Sequence, residues 1–383
     1  MPRTPEKPAV IVYRDNLLPP SETFVLSQAE SLERFTPYYA GSRFVQGLSP
    51  PAERTVAVNR GGLPGKASEI SYKLSGFSPA FRRRVRALNP RLIHAHFGPD
   101  GARVLSIARQ LQIPLLVTFH GYDATVKDEY ARRSFYSHRV YVRRRERLKR
   151  EAGLFIAVSE FIKVKLLEQG FPPDKVIVRY VGVDTSIFRP DPSVTREPVV
   201  LFVGRLVEKK GCQYLLEAMS VVQARMPNIG LTVIGDGPLR PALERAAAEK
   251  LGRYRFLGAQ PSENVRAWMN RAAVFSVPSV VADSGDSEAF GIAFAEAQAM
   301  GLPVVSFSTG GIPEAVSHGE TGFLAAERDW KGLAEYIARL LEYKALRQKF
   351  GERGRERVQE MFDLQAQTRI LEDTYEAVLR GEI

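Results

Sequence analysis

The chain has 383 residues, of which 44% are hydrophobic and 25% charged, an ordinary globular composition that excludes disordered, collagen-like and fibrous proteins. This length predicts about two to three domains with sizeable cores. The single cysteine, Cys212, excludes an intrachain disulfide and a cysteine-based zinc cluster, and the five histidines do not form an H-E-x-x-H metal motif.

The net charge of +11 is carried wholly by the first half of the chain. Residues 1–190 hold 31 Lys and Arg against 17 Asp and Glu, whereas residues 191–383 hold 23 against 26. A one-sided excess of this kind indicates an acidic partner for the first half, such as nucleic acid, anionic lipid or a phosphorylated substrate.

The first apolar run, residues 9–13, is too short for a signal sequence or a membrane span. No later run approaches the roughly 18 residues that a spanning helix needs. We therefore expect a soluble, intracellular protein.

Short runs rich in β-branched residues alternate with amphipathic helical patterns, which predicts βα units and parallel sheets. The predicted strands cover residues 9–13, 54–58, 92–95, 115–119, 154–158 and 176–180 in the first half, and 199–203, 231–234, 254–257, 274–277, 304–307 and 322–324 in the second. The main predicted helices cover residues 22–34, 102–111, 161–169, 213–225, 240–250, 293–300 and 331–341, with nearly continuous helix over 345–380.

A linker is predicted at residues 188–198, which hold three prolines and no apolar periodicity. The stretches on either side are each of single-domain size. Two doubly wound domains joined in this way would form a cleft between the carboxyl ends of their sheets, where open α/β sheets bind ligands.

A basic glycine turn, residues 204–211, follows the predicted strand 199–203 and suits a phosphate group. The backbone can approach a ligand at Gly204, and a helix begins beyond the turn. Arg205 can donate two parallel hydrogen bonds to phosphate oxygens, while Lys210 supplies a point charge. A solvated basic turn is the alternative, and a Walker loop is excluded because its motif is absent.

Two carboxylates, Glu288 and Glu296, are eight residues apart near a predicted helix start. On one helix they would be separated by about 800° and about 12 Å, with one at the entry and one deeper in. That span matches a nucleotide-sugar whose hexose and ribose hydroxyls lie at opposite ends, with the amides of Phe290, Gly291 and Ile292 at the diphosphate between them. The alternative is that Glu288 only interacts with the helix dipole and that Glu296 is a surface residue without a function. An unpaired carboxylate in so apolar a stretch would, however, cost free energy.

Histidines end two predicted strands, first at His94 and His96 and then at His120. Carboxyl ends of strands face the predicted cleft, so these side chains are ligand-binding candidates, with satisfied structural histidines as the alternative. The turn through Gly121 to Asp123 favours His120, because glycine lets a ligand approach closely.

The basic tract, residues 132–150, holds nine Arg or Lys and one Glu. Its interleaved apolar residues, Phe135 and Tyr141 among them, would allow it to lie on an anionic membrane as an amphipathic helix. A solvated helix face is the alternative. Residues 81–86 form a shorter segment of the same kind, with four arginines and two apolar residues. Nucleic-acid binding ranks third, because no nucleic-acid module is evident.

The motifs together resemble glycosyltransferase family 4, whose members are retaining enzymes of GT-B fold with nucleotide-sugar donors. In the second half the resemblance is carried by Gly204-Arg205, Lys210-Gly211, Gly235-Asp-Gly-Pro238, Phe256-Leu-Gly258, Pro278-Ser279, Glu288 to Glu296, Met300-Gly301 and Gly310-Gly311-Ile-Pro-Glu314. In the first half, Pro20-Ser-Glu-Thr-Phe24, His94-Ala-His-Phe-Gly98 and His120-Gly-Tyr-Asp123 resemble the branch that builds bacterial exopolysaccharides, including colanic-acid-type transferases.

The resemblance implies an α/β GT-B fold with two Rossmann-like, doubly wound domains facing a central cleft. It implies an acceptor-binding domain at residues 1–190, a nucleotide-sugar-binding domain at 191–362 and a C-terminal helix at 363–383 that packs back on the first domain.

The resemblance also implies roles for individual residues. Arg205 and Lys210 would bind the donor diphosphate, Glu296 the ribose hydroxyls and Glu288 the donor sugar, while His120 would lie beside that sugar near the reacting carbon. The expected catalytic residues are therefore His120, Glu288, Arg205 and Lys210. The expected donor-binding residues are Gly204, Arg205, Lys210, Gly235, Gly258, Phe290, Gly291, Ile292 and Glu296.

The implied reaction is transfer of a hexose, with retention, from a UDP- or GDP-sugar to a saccharide or polyprenyl-diphosphate-linked acceptor. We expect a UDP-sugar ahead of a GDP-sugar, no metal or other cofactor, and no nucleic-acid partner. Asp283 and Asp286 are not expected to bind metal. The expected location is cytoplasmic, with peripheral attachment to the inner membrane through residues 132–150. The alternatives are a nucleotide-sugar epimerase of the same fold and a non-catalytic protein that binds a nucleotide-sugar or polyanion.

Two positions depart from the family pattern. The Gly-Gly loop common after the first strand is replaced by residues 16–23, so contact with phosphate or acceptor there would fall to Ser21 and Thr23. The usual Glu-Gly-Phe-Gly reads Glu288-Ala289-Phe-Gly291, a change that could tighten the space near the donor.

Overall fold

The computed structural model describes residues 7–134 and 136–383. Contacts divide the chain into two units, namely residues 7–182 with Leu364–Ile383, and Val183–Asp363. The segment predicted as a linker, residues 188–198, lies in the second unit. There the Arg196 guanidinium donates hydrogen bonds to the carbonyl oxygens of Met269 and Met300 at 2.9 and 2.7 Å.

The first unit is an α/β structure built on a parallel sheet. Its strands are β1 (Ala9–Tyr13), β2 (Asn16–Leu17), β3 (Thr36–Gly41), β4 (Arg43–Phe44), β5 (Thr55–Ala57), β6 (Pro90–His96), β7 (Leu115–Phe119), β8 (Leu154–Ala157) and β9 (Val176–Val178). Its helices before residue 182 are α1 (Thr23–Glu30), α2 (Gly62–Ser75), α3 (Pro79–Ala87), α4 (Gly98–Leu111), α5 (Tyr122–Thr125), α6 (Asp128–Arg133), α7 (Tyr136–Glu151) and α8 (Glu160–Glu168). The main sheet has the order β5-β3-β1-β6-β7-β8-β9, while β2 and β4 pair separately.

The second unit repeats this architecture. Its strands are β10 (Val199–Val203), β11 (Gly230–Ile234), β12 (Tyr254–Phe256), β13 (Val274–Ser276), β14 (Val304–Phe307) and β15 (Gly322–Ala325). Its helices are α9 (Cys212–Arg225), α10 (Arg240–Lys250), α11 (Ser262–Arg271), α12 (Ile292–Ala299), α13 (Ile312–Ala315), α14 (Trp330–Glu342) and α15 (Lys344–Met361). The parallel sheet has the order β12-β11-β10-β13-β14-β15. In both main sheets the first strand, β1 or β10, is central. Later strands are added first on one side of it and then on the other, which is the doubly wound, Rossmann-like arrangement predicted from the sequence.

Strand β3 was not predicted: the sequence pattern ended a helix at residue 34 and gave no element between there and residue 54. In the structure α1 ends at Glu30, and the segment Thr-Pro-Tyr-Tyr-Ala-Gly pairs with β1. Proline argues against a strand interior because it cannot donate to the ladder. Here Pro37 is only the second residue of the strand, and the buried side chain of Tyr39 follows it.

The C-terminal helix, α16 (Leu364–Arg380), packs on the first unit, as predicted. Leu371 and Tyr375 enter the core that contains Val10 of β1 and Leu116 of β7. Glu372 is fully buried and accepts a hydrogen bond from the backbone amide of Arg34 at 2.6 Å. This helix therefore completes the core of the first unit although it is the last element of the chain.

We expect Leu371→Ala to destabilise the first unit by about 2–5 kcal/mol, because the substitution leaves a cavity in this core. Ile370→Ala is the matched control, since Ile370 is 38% exposed and its truncation should cost no more than about 0.5 kcal/mol. Urea unfolding followed by circular dichroism measures both variants. Equal losses in the two would contradict the packing of α16 described here.

Candidate active site

The loops that follow the strands of the second unit all leave one edge of its sheet, because the strands are parallel. Hydrogen bonds join these loops: the Gly204 amide donates to the Ile234 carbonyl at 3.0 Å, and the Gly235 amide donates to the Gly258 carbonyl at 2.8 Å. Gly235 has a φ of +137°, and a Cβ there would lie 1.9 Å from the Gly204 oxygen. The structure thus brings together the three glycines singled out in the sequence.

A largely buried ion pair joins Lys210, at the end of the turn after β10, to Glu288 in the loop between β13 and α12. Beside it, Lys209 donates to Asp286 at 2.9 Å. Burial raises the pKa of Glu288, but the cations Lys210, Lys209 and Arg205 outweigh burial and bring that pKa to about 2. Glu288 is therefore a carboxylate at every physiological pH, and it is already held by the lysine expected to bind phosphate.

The prediction that one helix carries both Glu288 and Glu296 is wrong. Helix α12 begins only at Ile292, so Glu288 lies in the preceding loop. The backbone between β14 and α13 holds that loop in place. The Gly311 amide donates to the Glu288 carbonyl at 2.9 Å, and a Cβ on Gly311 would lie 1.8 Å from the Ala289 oxygen. Close backbone packing, rather than helical periodicity, positions this carboxylate.

Arg205 differs from Lys209 and Lys210, which are both held in ion pairs. Its side chain is exposed and forms no ion pair or hydrogen bond with any other described residue, yet it is near enough to lower the pKa of Glu288. An exposed guanidinium beside the partly buried ammonium of Lys210, at the end of a strand, offers a phosphate both a two-pronged donor and a point charge.

The start of α12 provides backbone donors next to this group. Gly291 caps the helix with a φ of +81°, and neither its amide nor that of Ile292 donates to another described residue. Amides at a helix start attract anions. The Phe290 ring is buried and lies 4.9 Å from the ring of Phe362, so it anchors the helix start.

Glu296 lies one turn into α12 and is partly exposed. Its carboxyl group has no hydrogen-bond or ion-pair partner among the described residues. Burial raises the pKa of Glu296 to about 7. A carboxyl group in this state can accept hydrogen bonds that the protein itself does not supply.

In the first unit, Asp123 organises the turn that carries His120. Its carboxylate accepts hydrogen bonds from the amides of Gly98, His120 and Gly121 at 2.9, 3.1 and 2.9 Å. Burial raises the pKa of Asp123 to about 6 although these amides lower it. The turn after β7 is therefore fixed to the start of α4, and the position of His120 follows from it.

His120 is also held by its ring. Its Nε2 lies 3.0 Å from Nδ1 of His96, and the rings of Phe24 and Phe97 lie 4.9 and 4.7 Å away. Burial lowers the pKa of both His96 and His120 well below the usual value, so both imidazoles are neutral at pH 7.

His94 has a structural place. It is buried, its Nδ1 lies 2.6 Å from the Tyr375 hydroxyl, and its Nε2 lies 2.6 Å from the Thr118 hydroxyl. Both ring nitrogens are therefore used to join β6, β7 and α16.

A buried charged network after β1 was not found from the sequence. Arg14 forms a fork on Glu22 at 2.6 and 2.7 Å, pairs with Asp100, and lies over the Phe97 ring at 4.3 Å. Ser21 and Thr23, expected to contact phosphate or acceptor from residues 16–23, are exposed, and that contact stays a prediction. The available signal was the run Arg14-Asp15 directly after a buried strand, since charges there need buried partners.

The basic tract covers the end of α6 and nearly all of α7, and Phe135 lies outside the described residues. Tyr141 and Leu148 are buried, and Arg145 pairs with Asp128 at 2.7 Å. The exposed cations lie on one face of α7; they are Arg139, Arg143, Arg147 and Arg150. Over the same described ranges, no helix combines the length and apolar character needed to cross a membrane.

Comparison with known proteins agrees with this geometry. The family model "Glycosyltransferase Family 4" matches residues 37–187, and "Glycosyl transferases group 1" matches residues 183–357. Together they extend over both units.

Relatives carry related names. The chain is 33% identical over 292 residues to the putative colanic acid biosynthesis glycosyltransferase WcaL of Salmonella typhimurium, covering 72% of this chain and 68% of that protein. It is 32% identical over 256 residues to the amylovoran biosynthesis glycosyltransferase AmsK of Erwinia amylovora, covering 65% of this chain and 61% of AmsK.

Among solved structures, HepE of Anabaena in complex with UDP and glucose superposes with a TM-score of 0.76 at 19% identity, covering 96% of this chain and 99% of that one. This likeness identifies the GT-B fold. With its two Rossmann-like units and these matches, the chain belongs to the group 1 and family 4 glycosyltransferases.

Proposed function

We propose that this glycosyltransferase moves a hexose from a nucleoside diphosphate sugar to a saccharide or lipid-linked saccharide in bacterial exopolysaccharide synthesis. The observation that carries the proposal is the group in the second unit where exposed Arg205, the Lys210–Glu288 pair and the unpaired Glu296 surround the start of α12. The names of WcaL and AmsK support the product class. A UDP-sugar ahead of a GDP-sugar stays a prediction from the sequence.

Each part of a donor has a matching group in this unit. Arg205, Lys210 and the amides at the start of α12 would bind the diphosphate and stabilise its charge as it departs. The ionised Glu288 would accept hydrogen bonds from hydroxyls of the sugar, and Glu296 from those of the ribose. The glycine loops at Gly235 and Gly258 would frame the base. These cations supply the charge compensation themselves, so the proposed reaction needs no metal cofactor.

Transfer is proposed to proceed with retention, by departure and attack on the same face of the sugar. The leaving phosphate would assist the incoming acceptor hydroxyl, and the neutral His120 imidazole would hydrogen-bond the donor sugar. Trapping of a covalent glycosyl-enzyme would contradict this route. An epimerase of the same fold differs in a measurable way, since it would release no sugar onto an acceptor.

We expect Lys210→Ala to lower kcat/KM for the donor by about 100-fold or more, because it removes a charge-assisted contact to the diphosphate and leaves Glu288 buried without its partner. Lys349→Ala is the matched control, since Lys349 is an exposed lysine of α15 in the same unit. Steady-state kinetics of donor use measures both. Unchanged kinetics in Lys210→Ala would overturn the assignment of the diphosphate site.

The raised pKa of Glu296 predicts a pH dependence of donor binding. Ribose hydroxyls donate to the carboxylate, so binding requires the ionised form, which is lost as pH falls through about 7. The donor Kd should therefore rise about tenfold between pH 8 and pH 6, measured by isothermal titration calorimetry.

Glu296→Gln should bind more weakly at pH 8 and lose this dependence. Glu249→Gln, at an exposed glutamate of α10, should retain it. A pH profile that is the same in Glu296→Gln and the unmodified protein would assign the dependence to another group.

His120→Ala should lower kcat by about 100-fold, the usual cost of a transition-state hydrogen bond. Nucleotide affinity should change little, because the nucleotide groups belong to the second unit. Turnover and the Kd of UDP or GDP measure the two effects separately. A large loss of nucleotide affinity with normal kcat would contradict the role proposed for His120.

A further inference from the structure

Helix α2 exposes an apolar stripe to solvent. Leu63, Ile70 and Leu74 are 81%, 59% and 58% exposed, and their spacing of seven and four residues places them on one face. Phe44 of β4 and Phe77 after the helix are also exposed, at 60% and 49%. Only Gly65, Glu69 and Tyr72 of this helix are buried. We call these five exposed apolar residues and the adjoining cavity the α2 surface.

The adjoining cavity has a volume of about 640 Å³ and is lined by Phe44 and Ile70 together with cations. Among its lining residues are Arg43, Arg60 and Lys66. Arg60 and Lys66 are exposed and have no ion-pair partner among the described residues. The α2 surface therefore places unpaired positive charge beside exposed apolar side chains.

The carboxylate in the cavity, Glu69, pairs with Arg43 and Lys73 and leaves Arg60 and Lys66 without an ion-pair partner among the described residues. Glu69 is buried and accepts hydrogen bonds from Lys73 at 2.5 Å and from the Asn59 amide at 2.7 Å, while Arg43 lies 3.7 Å away. A further cation adjoins Arg60: the pKa of Arg84 on α3 is lowered by burial and by repulsion from Arg60. Crowded cations of this kind are stabilised by a bound anion.

We propose that the α2 surface docks this protein on an anionic lipid bilayer. The side chains of Leu63, Ile70 and Leu74 would enter the boundary between headgroups and acyl chains, while Arg43, Arg60 and Lys66 bind lipid phosphates. Stable attachment of a surface helix combines buried apolar area with attraction to anionic lipids, and this surface presents both. The proposal goes beyond the donor chemistry, and its test needs no turnover.

The basic tract presents mainly charge, with Tyr136, 40% exposed, as its one large exposed apolar side chain among the described residues. Its exposed cations on α7 are arginines such as Arg139, Arg143 and Arg147, whereas Tyr141 and Leu148 are buried. The two regions adjoin, because an Arg144 nitrogen lies 3.4 Å from the Leu74 carbonyl oxygen at the end of α2. The α7 arginines would therefore add long-range electrostatic attraction to the bilayer, and the apolar side chains of α2 would insert into it.

The test is co-sedimentation of the full chain with vesicles of phosphatidylcholine, alone or with roughly one-third phosphatidylglycerol. The unmodified protein should sediment with the mixed vesicles and not with phosphatidylcholine alone. Two triple variants, Leu63→Ser/Ile70→Ser/Leu74→Ser and Arg43→Gln/Arg60→Gln/Lys66→Gln, should each bind about 100-fold more weakly, the latter from about fivefold per cation. The matched control, Arg139→Gln/Arg143→Gln/Arg147→Gln, should lose less affinity for the mixed vesicles.

Circular dichroism and hydrolysis of soluble donor establish that the variants are folded and that the second unit works. The proposal is overturned if the unmodified protein binds no anionic vesicle, or if both α2 variants bind as well as the unmodified protein. It is also overturned if only the α7 variant releases the protein, or if the apolar variant abolishes self-association in sedimentation velocity while vesicle binding persists. Failure of donor hydrolysis in the unmodified protein would contradict the proposed function and leave vesicle binding as a separate result.

Discussion

The ion pair between Lys210 and Glu288 connects the two loops on which the second unit's site depends. Lys210 comes from the turn after β10 and Glu288 from the loop before α12, whose backbone is fixed by Gly311. Removing one partner of a buried pair leaves the other charge uncompensated, which is strongly destabilising. The pair therefore keeps Glu288 ionised, keeps Lys210 in place and sets the position of the helix start where Gly291 and Ile292 offer their amides.

The fold was largely predictable because its central strands are buried on both faces. Such strands give continuous apolar runs, and the bounds predicted for β1, β7, β10 and β14 are those observed. Strand β3 gave no such run, since it opens with Thr36 and Pro37. Helix α2 was not predicted either, because its first turn reads Gly-Leu-Pro-Gly and its apolar residues cover no core.

The site was predictable as a set of residues and not as a geometry. The order of strand ends and glycine turns brings Gly204, Gly235 and Gly258 together, so local motifs were sufficient there. The Lys210–Glu288 contact joins positions 78 residues apart and depends on tertiary packing. Periodicity alone therefore placed Glu288 on the wrong element. The same limit hid the network of Arg14 with Asp100, which are 86 residues apart.

Donor binding by the second unit is tested most directly by thermal stabilisation across a panel of nucleotide-sugars in EDTA. Hydrolysis is followed in the same samples. We predict that one UDP- or GDP-sugar raises the unfolding temperature and releases nucleoside diphosphate without added metal. If no nucleotide-sugar stabilises the protein while polyanions do, the group around Lys210 and Glu288 is not a donor site, and the account is contradicted.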